Sequence, residues 1–285
     1  MEELIKKQIE YPKFSVLASV YFKEKPEFFD KALNSIYNQT VKADEWVIVK
    51  DGEISAELQK VIDKYKSFGV NIKEVPLAEN VGLGLALAAG VPECSNELIA
   101  RMDTDDIAVS NRFELQLAEF EKDSELDLCG GQIIEFETDE NEPVAERRVP
   151  LTHDEIVTYQ KKRSAFNHMT VMYKKSAVLN AGNYKHCPLM EDDRLWVDMI
   201  LSGAKCMNIN EYLCRVRTNR DMIARRGGLK YYKKYKAARK QILDTGFITK
   251  KEYGKTNRVQ FIVCIMPKWL RKFVFFKMLH KKVNK

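Results

Sequence analysis

The stretch Glu97–Asp106, ELIARMDTDD, decides how the rest of the sequence is interpreted. Its first six residues are predicted to form a strand, and four residues with three carboxylates, Asp103–Asp106, follow at once. In open α/β sheets, ligands bind in the crevice beyond the carboxyl ends of the strands. The stretch therefore predicts an acidic site at one edge of an α/β sheet.

Upstream of this stretch, strand-like and helix-like segments alternate. Short apolar runs predict buried strands, and apolar residues at helical spacing predict helices. Pro26 suits a first helical turn, and Ser55 and Ser110 suit N-caps. In chain order the alternating segments are 14–20, 26–36, 46–49, 55–65, 70–75 and 82–90. This alternation favours an open, mostly parallel sheet with helices on both faces.

The second half of the sequence is less regular. A bent strand is predicted at 126–136 and a polar loop at 138–148. A helix is predicted at 191–201, and two short strands at 206–209 and 212–216. The composition becomes strongly basic near 223–228. We therefore predict a body at 1–224, with halves at about 13–125 and 126–224, and a helical extension at 225–285.

The small net charge of +6 hides a strong asymmetry. Residues 1–224 carry −11, whereas residues 225–285 hold 19 Lys and Arg against two acidic residues, a charge of +17. The extension also contains aromatic residues throughout. Charge and aromatic residues together favour contact with an anionic membrane surface. The alternative is that the extension packs on the body with its charges solvated. No nucleic-acid-binding motif is present, so nucleic acid is not an expected partner.

Composition also limits the class of protein. Hydrophobic residues make up 45% of the chain, as in ordinary globular proteins, and no apolar run approaches the roughly 18–20 residues of a spanning helix. The N-terminal stretch MEELIKKQIE lacks the apolar region of a secretory signal. The six cysteines form no CxxC pair and are predicted to be reduced thiols. A cytoplasmic protein is expected.

Three acidic motifs are candidates for chemistry. Asp103 and Asp105 present hard oxygen ligands of the kind that Mg²⁺ and Mn²⁺ prefer, although a solvated turn is the alternative. Asp51 at a strand end can accept a hydrogen bond from a base, although Asp-Gly is also a turn signal. In Glu191-Asp192-Asp193, one carboxylate is a candidate general base, and the others suit the positive end of a helix.

Some polar residues outside the acidic motifs are weaker candidates. Tyr21 directly follows the first predicted strand. His168 precedes a predicted strand, where a satisfied core histidine is the alternative. Arg217 and Arg220 suit phosphate binding, with surface solvation as the alternative.

The order of these motifs resembles that of family 2 glycosyltransferases, which have the GT-A fold, over roughly residues 13–217. The subgroup with a similar acidic motif consists of bacterial enzymes of capsule, exopolysaccharide or O-antigen synthesis. The matching stretches are SVLASVY (15–21), LNSIYNQT (33–40), WVIVKDG (46–52), NVGLGLALAAG (80–90), LIARMDTDD (98–106), HMTVMYKKSAVLNAGNY (168–184) and MEDDRLWVDMILSG (190–203).

The resemblance implies roles for the matching residues. Asp51 would bind the nucleotide base, Asp103 would lie near the ribose or a phosphate, and Asp105 would bind Mn²⁺ or Mg²⁺. Asp192, next to Glu191, would be the catalytic base. Arg112, Tyr21 and Asp103 would complete the donor site, with His168, Arg217 and Arg220 towards acceptor or phosphate.

The implied activity is inverting transfer of a sugar from a UDP-hexose or UDP-N-acetylhexosamine to a glycan acceptor, lipid-linked in such pathways. The enzyme would be peripheral to the inner face of the cell membrane. Two alternatives remain at this point. One is a sugar-nucleotide pyrophosphorylase, which uses a glycine-rich loop after the first strand where this chain has 21–26, YFKEKP. The other is a non-catalytic adaptor at the membrane surface.

Overall fold

The structure is a computed structural model that describes residues 11–218, 227–267 and 269–271. Strands and helices alternate through most of the described chain. The strands are β1 Phe14–Tyr21, β2 Glu45–Asp51, β3 Ile72–Pro76, β4 Leu98–Met102, β5 Ile107–Ala108, β6 Leu126–Phe136, β7 Pro143–Arg147, β8 Met172–Lys174 and β9 Lys205–Arg217. The helices are α1 Pro26–Tyr37, α2 Ala56–Ser67, α3 Leu83–Glu93, α4 Arg112–Lys122, α5 His153–Gln160, α6 Lys175–Asn180, α7 Glu191–Leu201, α8 Leu229–Asp244 and α9 Lys250–Ile265.

These strands form one sheet in the order β3-β2-β1-β4-β8-β6-β9-β5, with β7 added to β6. The first four neighbours are parallel, and β6 is parallel to β9. β8 runs antiparallel between β4 and β6. The prediction of a mostly parallel α/β sheet flanked by helices, as in the GT-A fold, is confirmed.

Helices cover both faces of the sheet, so the core is split into two apolar clusters. On one face, α1, α2 and α4 bury side chains such as Phe29, Ile62 and Leu117 against the strands. On the other face, α3, α5, α6 and α7 bury side chains such as Leu87 and Trp196. Side chains alternate between the two faces along β4, and this alternation decides which face the Arg101 side chain points to.

The N-terminal half follows the predicted pattern closely. Pro26 opens α1, and the Ser55 hydroxyl accepts a hydrogen bond from Leu58 N at 3.3 Å as the N-cap of α2. The predicted cap at Ser110 is wrong. α4 has Asn111 at its N-cap position without a side-chain cap bond, and the Ser110 carbonyl instead accepts from Thr40 N at 2.8 Å.

Two predictions in the second half need correction. The segment 138–148 is not wholly a loop, because Pro143–Arg147 forms β7. A proline at the first position is tolerated there because β7 pairs only with β6, at the border of the sheet. The two short strands predicted at 206–209 and 212–216 are one strand, β9, whose register against β6 shifts near Gly131 and Gln132. The helix α5 was not predicted.

The C-terminal helices α8 and α9 form a hairpin that packs on the outer face of α7. A third apolar cluster joins Cys187, Met190 and Val197 to Ala238 and Ile242 of α8. The helical extension is therefore docked beside the acidic start of α7. The boundary predicted at 224/225 lies outside the described residues, so the two-part division stays a prediction.

Two further observations concern the whole described chain. All six cysteines are buried and unpaired, as predicted. Among the helices that the structure describes, none combines the length and the apolar character that crossing a membrane requires.

Candidate active site

The carboxyl ends of β1 and β2 bring Tyr21 and Asp51 side by side, because these two residues pair in register. The Asp51 carboxylate is buried and accepts hydrogen bonds from Val81 N at 2.7 Å, Gly82 N at 3.1 Å and Asn80 Nδ2 at 2.9 Å. Asp51 thus fixes the loop that leads into α3, while Tyr21 stays 40% exposed at the edge.

Glycine is required after Asp51. Gly52 has a φ of +82°, and a Cβ at this position would lie 2.8 Å from the backbone nitrogen of Asn80. Only glycine adopts this conformation without strain and leaves room for the neighbouring loop. The Asp-Gly turn and the Asp51 carboxylate, which were considered as alternatives, therefore occur together in one loop.

At the end of β4, Arg101 organises the acidic loop. Its side chain is fully buried, and its two terminal nitrogens donate to the two carboxylate oxygens of Asp103, at 2.7 Å for Nη1. Burial disfavours the charge of Arg101, but the Asp103 carboxylate outweighs burial and raises the pKa of the guanidinium. A bidentate pair of this kind fixes the orientation of a carboxylate. Asp103 is therefore held at the edge of the sheet, partly exposed.

The next two carboxylates lie in an excess of negative charge. Burial, and then the charges of Asp103 and Glu24, raise the pKa of Asp105 to about 7. Glu24 is held nearby by a 2.9 Å hydrogen bond from the Thr104 hydroxyl. Asp106 is buried and accepts from Arg217 N at 2.8 Å; burial and Asp105 raise its pKa.

The residues of this loop fit a divalent cation that is shared with a ligand. Within the described part of the chain, no three His, Cys, Asp or Glu side chains form a ready-made metal cluster. Mg²⁺ is commonly bound by one or two carboxylates, with substrate phosphates and water completing the octahedron. Asp103 and Asp105 supply two such groups, and the crowding that raises the pKa of Asp105 is relieved by a cation.

Within electrostatic reach of the acidic loop, α7 begins with three carboxylates. The Asp193 carboxylate is hydrogen-bonded by Gln160, whose Nε2 donates to Oδ1 at 2.7 Å. Burial, and then the charges of Asp193 and Glu191, raise the pKa of Asp192 to about 8. Leu189, just before the helix, has a φ of +74°. A bulky residue in this strained conformation is typical of a functional loop.

Glu191 and Asp192 face different neighbours. Glu191 lies against α3, where a Cβ on Gly84 would be 2.7 Å from the Glu191 Cβ. Burial raises the pKa of Glu191, and the charges of Arg101 and Asp103 also act on it. The charge of Arg147, from β7, acts instead on Asp192. Glu191 is therefore within electrostatic reach of the loop that ends β4, and Asp192 is within reach of Arg147.

His168 lies inside the fold rather than on its surface. Its Nε2 is 2.9 Å from the Tyr184 hydroxyl, and its ring packs edge-on against Trp196. Burial, and then the charge of Arg101, holds the pKa of His168 well below its usual value. The imidazole is therefore neutral and supports the layer beneath the site.

The predicted arginines have different surroundings. Arg112 is fully buried, and its Nη2 donates to the Arg101 carbonyl at 2.7 Å, so it supports β4 from below. The guanidinium of Arg217 stacks between the rings of Phe28, at 3.8 Å, and Phe136, at 4.6 Å. Arg220 lies outside the described residues.

Sequence analysis missed Arg101, Glu24 and Arg147. A charged residue within a buried strand was the available signal for Arg101, because a buried guanidinium requires a partner. Nothing local marks Glu24, which meets the acidic loop only through the fold. Arg147 was overlooked because its segment was predicted to be a loop.

Comparisons with known proteins identify the family of the chain. The sequence profile of the family described as "Glycosyl transferase family 2" matches residues 15–182. The chain is 38% identical over 270 residues to the amylovoran biosynthesis glycosyltransferase AmsE of Erwinia amylovora, covering 93% of this chain and 98% of that protein. It is 34% identical over 270 residues to an Escherichia coli UDP-Gal:alpha-D-GlcNAc-diphosphoundecaprenol beta-1,3-galactosyltransferase, covering 95% and 98%.

A solved structure with the same fold is the mannosyltransferase PcManGT of Pyrobaculum calidifontis, in complex with GDP-Man and Mn²⁺. The TM-score is 0.63 at 11% identity, over 89% of this chain and 70% of that one. This likeness concerns the fold alone. The family match covers more than half of the sequence, and both relatives exceed 30% identity over nearly their whole length, so the chain belongs to glycosyl transferase family 2.

Proposed function

We propose that this protein transfers one sugar from a nucleotide-sugar, a UDP-hexose or UDP-N-acetylhexosamine, to a sugar carried on a lipid diphosphate in surface polysaccharide synthesis. The observation that carries the proposal is the proximity of two acidic groups. The charge of Asp103, in the loop that also holds Asp105, acts on Glu191, which directly precedes Asp192. The names of the Erwinia and Escherichia relatives support the substrate class. Family membership argues against the pyrophosphorylase alternative.

Asp192 is the proposed general base. Its carboxylate takes the proton of an acceptor hydroxyl, and the hydroxyl oxygen attacks the anomeric carbon of the donor. The bond from that carbon to the diphosphate breaks, and its electron pair leaves with the nucleoside diphosphate. Attack from the face opposite the leaving group inverts the anomeric configuration. The raised pKa of Asp192, about 8, suits a base that works near neutral pH.

Asp103 and Asp105 are the proposed ligands of Mn²⁺ or Mg²⁺. When bound, the ion supplies neutralisation of charge on the leaving diphosphate. Arg101 keeps the Asp103 carboxylate in a fixed orientation, so little reorganisation is needed when donor binds. Asp51 and Tyr21 lie at the neighbouring strand ends, where we propose that the nucleotide base of the donor binds. Arg112 acts through β4 rather than by touching the donor.

The C-terminal hairpin is the proposed contact with the membrane. Its exposed apolar side chains gather where α8 begins and α9 ends, because Gly228 N donates to the Cys264 carbonyl at 2.9 Å. The exposed fractions in this apolar patch range from 39% to 71%. Its members are Leu229, Val259, Phe261, Ile262, Ile265 and Trp269.

Basic residues surround the apolar patch, which favours an anionic lipid surface as its partner. Lys230, Lys233 and Arg258 are exposed nearby on the same two helices. A surface-near Lys or Arg adds about 1 kcal/mol to binding of an anionic leaflet. Docking there brings the membrane to the side of the molecule that carries α7, where a lipid-linked acceptor is needed.

The experiment that tests the proposal is thermal unfolding of the full chain with UDP-, dTDP-, GDP- and CMP-sugars, each with Mn²⁺ and with chelator. A ligand that binds only the folded state raises the melting temperature. We expect a rise with UDP-sugars that chelator abolishes, and loss of the rise in Asp105→Asn. No rise with any donor contradicts the proposal and favours the adaptor alternative.

A further inference from the structure

A second charged cluster lies near the carboxylates that begin α7, because the charges of Asp193 and Asp192 both act on Arg147. Arg147 extends from β7, and its Nη2 donates to the Ser164 carbonyl at 2.9 Å. Arg163 directly precedes that residue and is anchored by a 3.0 Å bond from its backbone nitrogen to the Tyr159 carbonyl. The two guanidinium groups are thereby brought near one another by the turn that follows α5.

Hydrogen bonds connect this cluster to the start of α7. Ala165 N donates to Gln160 Oε1 at 2.7 Å, and Nε2 of the same glutamine donates to Asp193 Oδ1 at 2.7 Å. The turn that holds Arg147 and Arg163 is thus fixed relative to the triplet that contains Asp192. Arg239 of α8 donates to the Lys161 carbonyl at 2.7 Å, which fixes the turn to the hairpin as well.

The charges of the cluster are incompletely compensated. Among the described residues, no carboxylate oxygen lies within 4.0 Å of the Arg147 or Arg163 guanidinium. Nε of Arg147 is buried without a hydrogen-bond partner in this part of the chain. Burial, and then the like charge of Arg163, lowers the pKa of Arg147. Two neighbouring guanidinium groups of this kind are stabilised by an anion that binds both.

We infer that Arg147 and Arg163 form a binding site for the diphosphate of the acceptor, next to the base Asp192. The inference rests on the proposed function, because it assigns an acceptor that carries such a group. A guanidinium binds two phosphate oxygens at once, so two of them suit a diphosphate. An acceptor held there by its diphosphate presents its sugar to Asp192, while the lipid continues towards the hairpin.

The competing explanation is that Arg147 only balances the charge of Asp192. A balancing charge affects transfer to every acceptor equally, whereas a diphosphate site distinguishes acceptors with and without that group. Arg148, which directly follows β7, is the matched control. Its side chain is exposed and pairs with Glu146 at 3.1 Å.

The first experiment measures binding of butyl diphosphate to the full chain by calorimetry, with UDP and Mn²⁺ saturating so that the donor pocket is filled. The butyl chain is too short to form a lipid surface. We expect Arg147→Gln and Arg163→Gln each to weaken binding by about tenfold or more, the usual effect of losing a charge-assisted contact. Arg148→Gln should bind as the native chain does. Equal affinity of all variants for butyl diphosphate would show that Arg147 and Arg163 do not form this binding site.

The second experiment compares two acceptors, butyl-diphosphate-linked N-acetylglucosamine and butyl N-acetylglucosaminide. We expect Arg147→Gln to raise KM about tenfold for the diphosphate acceptor alone, with kcat and the donor KM unchanged. Arg147→Lys should recover part of the loss. Equal losses on both acceptors support the balancing role and overturn the site. Inactivity of the native chain on both acceptors contradicts the proposed function instead. The binding of butyl diphosphate then still tests whether Arg147 and Arg163 form a diphosphate site.

Discussion

Asp192 has the most demanding chemical role of any residue in the proposed mechanism, because it takes the proton of the acceptor hydroxyl. We expect Asp192→Asn to lower kcat by about 10²–10⁴, the usual contribution of a general base. Binding of UDP-sugar should be unchanged, because Asp192 is not among the proposed donor ligands. Steady-state kinetics and donor titration measure the two effects separately.

Glu191→Gln is the informative comparison for that variant. Glu191 faces Arg101 and Asp103, so its loss should affect donor binding more than proton transfer. A kcat within a few-fold of native in Asp192→Asn would remove this residue from the role of base. A larger kcat loss in Glu191→Gln than in Asp192→Asn would transfer the role to Glu191.

The raised pKa of Asp192 makes two quantities depend on pH. The base must be ionised, so kcat should rise with pH and level off above about 8. The folded state binds this proton more tightly than the unfolded chain, whose carboxyl has the ordinary value of 3.8. The stabilisation that this proton gives the folded state is therefore fully present below pH 3.8 and is lost as the pH rises through about 8. Asp192→Asn should therefore gain thermal stability over the native chain from pH 4 to pH 8. A constant difference in melting temperature would contradict this.

At the level of single residues, the acidic residues of the site could be predicted from the sequence, but the arginines near them could not. Asp51, Asp103 and Asp192 each stand next to a strand end or a helix start, so local pattern alone reveals them. Arg101 pairs with Asp103, two residues further on, but its burial depends on the whole fold, and Arg147 acts through a contact with the distant Ser164. The burial of His168 depends on Tyr184 and other neighbours that the fold assembles, so its neutral state could not be predicted locally.

Among the elements, α3 and α7 meet at a glycine, and this contact sets the position of the acidic triplet 191–193. A Cβ at Gly84 would lie 2.7 Å from the Glu191 Cβ, so Gly84→Ala must displace the first turn of α7. We expect kcat to fall by about ten- to a hundredfold, because small misplacements of catalytic groups are costly. The melting temperature should fall only modestly.

Gly254→Ala is the matched control for that substitution. Gly254 lies within α9, and nothing is within 4 Å of a Cβ there. Alanine in a helix interior should stabilise the fold by about 0.5–1 kcal/mol without changing transfer. If Gly84→Ala leaves kcat unchanged, the α3–α7 contact does not position the triplet.

The elements of the N-terminal half were predictable because each is specified by its own pattern. β1 and β2 are short apolar runs, and α1 and α2 carry apolar stripes and local start signals. β7 and the continuity of β9 depend instead on pairing with β6, whose register shifts at the bend. Pairing between distant segments leaves no local signature, so these elements were predicted incorrectly.

For the whole molecule, the hairpin determines how the enzyme is expected to meet a lipid surface. Ile262 and Ile265 are 52% and 57% exposed, at helical spacing on α9. We expect the full chain to sediment with vesicles of phosphatidylglycerol at low salt and to be released by high salt. The double substitution Ile262→Asp and Ile265→Asp should abolish sedimentation, since it removes apolar contact and adds repulsion.

Leu201→Asp is the control, because Leu201 is also 52% exposed but lies at the end of α7, outside the apolar patch. It should sediment as the native chain does. Sedimentation of the double variant at native level would contradict the membrane contact of the hairpin. An effect of Leu201→Asp equal to that of the double variant would show general damage instead.

The six buried cysteines make the molecule a reporter of its own opening. Burial raises the pKa of Cys94, Cys187, Cys206 and Cys214 to about 12, so none of these four reacts as a thiolate while its surroundings stay closed. Cys94 and Cys206 lie on one face of the sheet, Cys214 on the other, and Cys187 beneath the hairpin. The order in which a maleimide labels these sites therefore ranks the two faces and the hairpin by how often each unfolds locally.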